Sequence, residues 1–406
     1  MLTNLTRCWL VGILFFFPFM ILAAAPGSIF DKHTVLDELA NPVIIPGAQL
    51  SSLRGKEIPL VRVFSTRDGD LTPIPFQIDQ VDSRGDWVWD VAYKKYLVSN
   101  YEDDNHEGIG NFKWGVEQRT GLLDDEDSGG KKIIDDNDVL VFMVKDTGSR
   151  TLDIDRKLIG ASVILEIEIS QSFSRKKAWA YIAYYKSDPP SYSSVRYVRY
   201  LPDPGKIVSS VYEVGFSKEH VAVLEQLKIE DVPLIDRTKL RGSMLLGRNS
   251  FGKTIYFNEN DIRGHVDGYI DGPVRVVKRN LASLRFGLIF SSPEIHCDQF
   301  FYPHHSKIPI RLPFNFLIDQ VSLLLAADYH NSPFRRAHIG GVNVPIDLQD
   351  ISAGTNLLKE LRSVPWMALE GDVASVVSVL TLPKAIQPFS EVTPYLVHDS
   401  NVANPP

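Results

Sequence analysis

The sequence predicts a mainly β protein of packed antiparallel β-sandwiches with few short helices. Three observations lead there. Apolar residues fall in short alternating or continuous runs, turn residues punctuate the runs, and helical three- and four-residue spacing is confined to two stretches. The 406 residues are 44% hydrophobic, 23% charged and 10% aromatic, with Gly 27 and Pro 25, which excludes collagen-like, low-complexity and mostly disordered chains. Lys plus Arg is 43 against 50 Asp plus Glu, a net charge of -7, so no nucleic-acid partner is expected, because phosphates need a basic face.

Residues 1–25 read as a signal peptide: Arg7 precedes the apolar run Trp9–Leu22, which ends in Ala23, Ala24 and Ala25. Cleavage after Ala25 leaves Pro26 at the first mature position, so cleavage after Gly27 is the alternative. Retention would make the segment an N-terminal membrane anchor, although its apolar stretch is slightly short of the about 20 residues of a spanning helix. No later stretch reads as a membrane span, and the expected location is periplasmic or secreted. Cys8 lies in the leader, which leaves Cys297 as the only mature cysteine and excludes an internal disulfide.

Strands are predicted in chain order. Ile58–Phe64 and Ile74–Val81 flank the turn-rich Ser65–Pro73; Asp138–Val144 is a compact apolar run; Ala161–Ile169 alternates; Ala178–Tyr185 is rich in aromatics. Ser194–Leu201, Ile207–Val214, Gly252–Phe257, Pro273–Arg279, Leu284–Phe290, Ile308–Leu312, Leu317–Ala326 and Val373–Leu382 complete the series. About fifteen strands over this length fit sandwiches better than one small barrel. Helix is predicted at Lys218–Lys228 and Thr355–Arg362. Ser99–Asn137 breaks the strand rhythm and reads as an acidic loop. A boundary near Ser170–Lys177 divides an N-terminal β-domain, 30–172, from a C-terminal β-sandwich domain, 178–397; the Pro-rich turns Asp188–Ser191 and Pro202–Gly205 offer a second boundary, and 398–406 is a frayed tail.

The phrases Ile74–Asp82 (IPFQIDQVD), Asp136–Asp146 (DNDVLVFMVKD), Asp271–Arg279 (DGPVRVVKR) and Phe300–Pro303 (FFYP) occur in that order. This order resembles secreted β-proteins related to polysaccharide lyases of the rhamnogalacturonan-exolyase type. The resemblance covers about a third of the chain. It implies a β-domain joined to a galactose-mutarotase-like supersandwich, and carbohydrate as the partner.

Reactive side chains are densest in Glu294–His305, EIHCDQFFYPHH. On a strand, Glu294, His296 and Asp298 share one face and Cys297 takes the other. Such a face is a solvated edge, a metal site completed elsewhere in the fold, or the wall of a cleft. In a lyase, His304, His305 or Tyr302 would abstract the proton beside a uronate carboxylate, Arg311 or Arg275 would stabilise the enolate-like charge, and Arg275 and Arg279 would bind an acidic polysaccharide. Asp125 and Asp127 before Gly129, with Asp136 and Asp138 after it, offer hard oxygens for calcium, although no EF-hand spacing is present and a solvated acidic loop is the plainer reading. Trp87 and Trp89 lie two apart and share a strand face, as a stacking platform or as core. The function read from these features is a carbohydrate-directed exported protein, lyase-like or binding glycan without catalysis. The alternative is a non-enzymatic envelope scaffold.

Overall fold

Asp68 and Gly69, with φ of 51° and 87°, turn the strand Val61–Arg67 directly into Asp70–Pro73, so that Arg67 stands opposite Asp70. Two consecutive residues of positive φ make the tight hairpin whose twist matches its strands, and Asp-Gly is its usual sequence. The stretch expected to be a turn from Ser65 to Pro73 is therefore mostly strand. The computed structural model describes residues 14–22, 40–98, 113–120, 132–170, 177–217, 220, 223–246, 253–286, 290–311, 318–329, 334–339, 346–348 and 366–381. It is mainly β, in several antiparallel sheets. Ile154–Lys157 is the one α-helix among the described residues, and none of their helices is long and apolar enough to cross a membrane.

The chain divides into two compact units, one holding Phe30–Arg199 with Val266–Arg279 and the other Met1–Ile29, Tyr200–His265 and Asn280–Pro406. The division after Arg199 lies beside the Pro202–Gly205 turn. At Ser170–Lys177, the other expected boundary, the strands Ala161–Ser170 and Lys177–Tyr185 pair as a hairpin within one unit.

In the Phe30–Arg199 unit, a four-stranded sheet runs in the order Asp70–Pro73, Val61–Arg67, Lys177–Tyr185, Ala161–Ser170. A three-stranded sheet has Val139–Met143 between Pro42–Pro46 and Phe76–Asp79. Val61, Val63, Ala180 and Ile182 of the first sheet join Ile45, Phe76, Leu140 and Phe142 of the second in one core. The reverse face of the four-stranded sheet is also covered: Phe64, Tyr181, Ala183 and Tyr185 pack with Leu158, with Ile154 of the short helix against them. Burial on both faces explains why Val61–Thr66 is a continuous buried run, while Ala161–Ser170, at the sheet's end, alternates and leaves Glu166 and Glu168 exposed. The same unit pairs Val91–Val98 with Lys113–Thr120 and with Gly268 and Tyr269. Lys113–Thr120 is thus a strand inside the stretch expected to be an acidic loop; 99–112 and 121–131 lie outside the described residues.

In the other unit, Lys206–Ser209, Tyr212–Phe216, Leu224–Ile229 and Val232–Leu246 form an antiparallel meander. Thr254–Asn258 and Ile318–Tyr329 both pair with Val232–Leu246. Leu224–Ile229 replaces the helix expected over Lys218–Lys228; Thr355–Arg362 lies outside the described residues. A second sheet of this unit contains Phe334–Ile339, Trp366–Gly371, Ser375–Val379, Leu14–Leu22, His305–Arg311 and Ile295–Phe301 in spatial order. Leu14–Leu22, the apolar heart of the expected leader, is here a strand antiparallel to both neighbours.

Candidate functional site

Gln77 and Asp79 are polar residues in the otherwise apolar run Phe76–Asp79, and both are buried. Such groups need partners, and they find them about 200 residues downstream. Gln77 Oε1 accepts from the backbone N–H groups of Val274 (3.0 Å) and Arg275 (2.8 Å), and its Nε2 donates to Asp79 Oδ1 at 2.6 Å. Arg275 Nε donates to Asp79 Oδ2 at 2.7 Å, and Arg275 is only 3% exposed. A Cβ on Gly272 would sit 2.1 Å from Gln77 Oε1, so glycine is what lets the amide reach this backbone. Two of the phrases singled out in the sequence therefore meet in one buried network. Removing either ion of such a pair strands the other, at about 3–5 kcal/mol.

Above this network two arginines meet two indoles. The Arg275 guanidinium lies 5.6 Å from the Trp87 ring centroid, and that of Arg279 lies 4.9 Å from Trp89. Arg279 is also ion-paired with Asp86. Asp86 is set by a turn in which Asp82 Oδ1 accepts from the N–H groups of Arg84 (2.9 Å) and Asp86 (2.8 Å). Gly268 lies under Trp89, where a Cβ would come within 2.7 Å of the indole. Trp89 is core, whereas Trp87 is half-buried.

Beyond Trp89 the chain surfaces at Asp90, whose Oδ2 accepts the Asp271 N–H at 2.9 Å. Desolvation holds the Asp90 carboxyl above the usual carboxylate range, with the Asp271 N–H opposing and the Asp271 charge assisting. Asp271 pairs with Arg196 at 2.7 Å. Tyr93 and Tyr269 lie with ring centroids 6.3 Å apart, and desolvation, with the nearby Tyr93 and Asp271, pushes the Tyr269 phenol up to about 12. Asp86 adjoins Trp87 in the chain, Asp90 follows three residues after it, and the Asp90–Asp271 hydrogen bond brings a third aspartate to the same segment. That combination accepts hydroxyl hydrogen bonds beside a flat apolar surface.

A further buried carboxylate comes from the DNDVLVFMVKD phrase. Asp146 accepts from the Tyr197 hydroxyl at 2.6 Å, and Lys145 Nζ lies 3.7 Å from the Tyr197 ring centroid. Burial raises the Asp146 carboxyl and lowers the Lys145 ammonium. Sequence reasoning passed over Gln77, Asp79, Asp90 and Asp146. The legible signal was a polar side chain inside or at the end of a strand that is otherwise apolar.

The residues expected to carry chemistry are dispersed. Tyr302 and His305 lie at the turn between Ile295–Phe301 and His305–Arg311, in the other unit. They are 1% and 2% exposed and stacked on each other, with ring centroids 4.6 Å apart. The Tyr212 hydroxyl donates to the Tyr302 carbonyl at 2.9 Å and closes the turn from inside. Burial, with Lys307 and His304 nearby, lowers the His305 pKa to about 3, so its imidazole is neutral at ordinary pH. Contact with a polymer would require both rings to be uncovered. His304 is half-buried beside them; Arg311 ends its strand, and its side chain lies outside the described residues. Arg275 and Arg279, expected to bind substrate, are buried and occupied by Asp79 and Asp86.

Of the expected calcium ligands, Asp125 and Asp127 lie outside the described residues. Asp136 is ion-paired with Arg54. Asp138 is buried and accepts the N–H groups of Val81 (3.1 Å) and Asp135 (3.0 Å), so it fastens two chain segments together. Among the described residues no three His, Cys, Asp or Glu side chains converge to hold a metal ion.

No family model and no curated protein matches this chain. Among solved structures, an α-mannosidase from Enterococcus faecalis V583 is similar at a TM-score of 0.33 and 6% identity, over 91% of this chain and 39% of that one. A glycosyl hydrolase family 38 protein from Enterococcus faecalis is similar at a TM-score of 0.30 and 8% identity, over 94% and 44%. This chain spans less than half the length of either.

Proposed function

We propose that this is an exported, carbohydrate-directed β-protein that holds glycan at the rim around Trp87 and does not cleave it. The observation that carries the reading is the rim itself: a half-buried indole with carboxylates at Asp86 and Asp90 in the same short segment, and Asp90 tied to Asp271. Sugar rings offer apolar C–H faces to an indole and hydroxyl donors to carboxylates, and the rim supplies both acceptors. Arg275, Arg279 and Arg196 are each matched to a carboxylate, which leaves the exposed Lys132, close enough to act on Asp90, as the cation among the described residues here to set against three aspartates. The reading therefore favours neutral glycans over the acidic polysaccharide expected from sequence. It also favours binding over elimination chemistry, since Tyr302 and His305 are enclosed.

Calorimetric titration with neutral and uronate-containing oligosaccharides tests this, alongside ultraviolet absorbance for unsaturated products. Expected are binding of a neutral oligosaccharide, no product, and a loss of affinity of about tenfold in Trp87→Ala and in Asp90→Asn, each with an unchanged melting temperature. Binding of no oligosaccharide would leave the scaffold reading in its place, and unsaturated product would restore the lyase.

A further inference from the structure

Tyr256 is 80% exposed in the middle of the strand Thr254–Asn258, in the unit that does not contain the Trp87 rim. Its position across the sheet is set by register. Tyr256 stands opposite Ser243, and Ser243 opposite Ser322, so the three share one face. The next rung on that face is Thr254, Leu245 and Gln320, and the rung on the other side is Asn258, Arg241 and Leu324. The opposite face is core: Met244 and Phe257 pack with Leu284, and Leu240, Ile255 and Val321 lie against them. The Phe257 ring packs against Gly242, where a Cβ would come within 2.1 Å of it. The outward face is consequently a level platform, roughly 10 Å across its three strands and roughly 13 Å along them.

Most of its positions are neutral and polar, with Leu245 and Leu324 as the aliphatic ones. Ser243, Ser322, Thr254, Gln320 and Asn258 bring hydroxyl and amide groups around one uncovered ring. The sole charged group at these positions is Arg241, which is ion-paired with Glu259 and donates to the Leu240 carbonyl at 3.0 Å. An exposed aromatic ring among neutral hydroxyl and amide groups complements a neutral polysaccharide, whose own surface is C–H faces edged with hydroxyls. It gives no charge complementarity to an acidic one.

We propose that the Tyr256 platform is a second glycan-binding surface, which engages neutral polysaccharide by itself, without the Trp87 rim. The proposal rests on the carbohydrate reading above. A polymer offers the platform many copies of its repeat, whereas a short oligosaccharide offers it few.

Full-length protein, Tyr256→Ala, Ser322→Arg and Trp87→Ala are compared for retention on insoluble cellulose, xylan, mannan and chitin, and for affinity to their short oligosaccharides. Both platform variants lie on an exposed face, and unchanged melting temperatures confirm their fold. Expected is a loss of polymer affinity of about tenfold in Tyr256→Ala and in Ser322→Arg, oligosaccharide affinity as in the unaltered protein, and rescue by Tyr256→Phe. Polymer affinity unchanged in both variants, while Trp87→Ala loses binding, overturns the platform and leaves the carbohydrate reading standing. No binding of any glycan by the unaltered protein overturns both. A change of oligomeric state in Tyr256→Ala, without a change in polymer affinity, identifies the face as a contact between copies and overturns the proposal.

Discussion

His305 is an imidazole kept neutral by its surroundings. Stacked on Tyr302 and 2% exposed, it cannot be hydrated as a cation, and Lys307 adds like charge. Its folded pKa of about 3 lies below the ordinary value of 6.5, so between those values the unfolded chain binds a proton that the folded chain refuses. The contribution of His305 to stability is therefore complete above pH 6.5 and declines as pH falls toward 3. Between pH 7.5 and 4.5 the expected loss from this group is about 2–3 kcal/mol. Asp90 and Asp146, whose carboxyls are raised by desolvation, act in the opposite direction, so the comparison is made against His305→Leu, which retains both. Urea unfolding at the two pH values should show the extra acid sensitivity in the unaltered protein and its absence in the variant. Equal sensitivity would mean that the ring is not held neutral. The sequence displayed this histidine as reactive because it lists side-chain types. Its enclosure depends on Tyr212, which is 93 residues away and reaches its carbonyl at 3.3 Å.

Strand segments were legible wherever a run's own pattern reported its surroundings, as in Ala161–Ser170 and Lys177–Tyr185. Leu224–Ile229 was not legible, for a specific reason. The register shifts between Gly215 and Phe216, which pair with Gln226 and Leu224, so Glu225 is bulged out. Leu224 and Leu227 then both face inward at a spacing of three, which imitates a helix. The Trp87 rim was half legible. Its aromatic and acidic residues are local, but their arrangement depends on Gly268, Asp271 and Arg275, which arrive from far along the chain. Close approaches of this kind also decide the stability of elements. Gly148 exchanges hydrogen bonds with Trp179, at 3.0 and 2.8 Å, and a Cβ there would meet the Thr66 carbonyl oxygen at 2.0 Å. Backbone cannot yield as a side chain can, so Gly148→Ala should destabilise by about 1–3 kcal/mol. Gly215, also in a β segment, would place its Cβ an ordinary 3.6 Å from Gln226. Gly215→Ala should be neutral or stabilising by under about 1 kcal/mol. Urea unfolding of both variants checks the contrast, and equal effects would show that the Thr66 contact does not constrain Gly148.

At the scale of the whole molecule, the same nine residues face two demands. Leu14–Leu22 reads in sequence as the core of a leader, yet it stands as a strand between His305–Arg311 and Ser375–Val379. Its composition fits the first role better. Pro18 occupies the middle of the strand opposite Lys307, and proline has no N–H to give to a ladder. Export should therefore remove the segment, and the mass of the exported protein should place its N-terminus between Ala25 and Phe30. Removal has a structural consequence. His305–Arg311 loses the partner that faces Leu14–Met20, and Ser375–Ser378 loses the one that faces Phe19–Leu22. Backbone groups that have lost their ladder exchange with solvent faster. Hydrogen exchange of full-length protein and of a chain beginning at Pro26 should show reduced protection in these two strands of the shorter chain. Phe76–Asp79 and Val139–Met143, whose ladder contains no residue before Pro42, should be protected equally in both. Equal protection throughout would mean that Leu14–Leu22 contributes no pairing, and an exported protein that retained Met1 would mean that the strand, not the leader, is the role these residues keep.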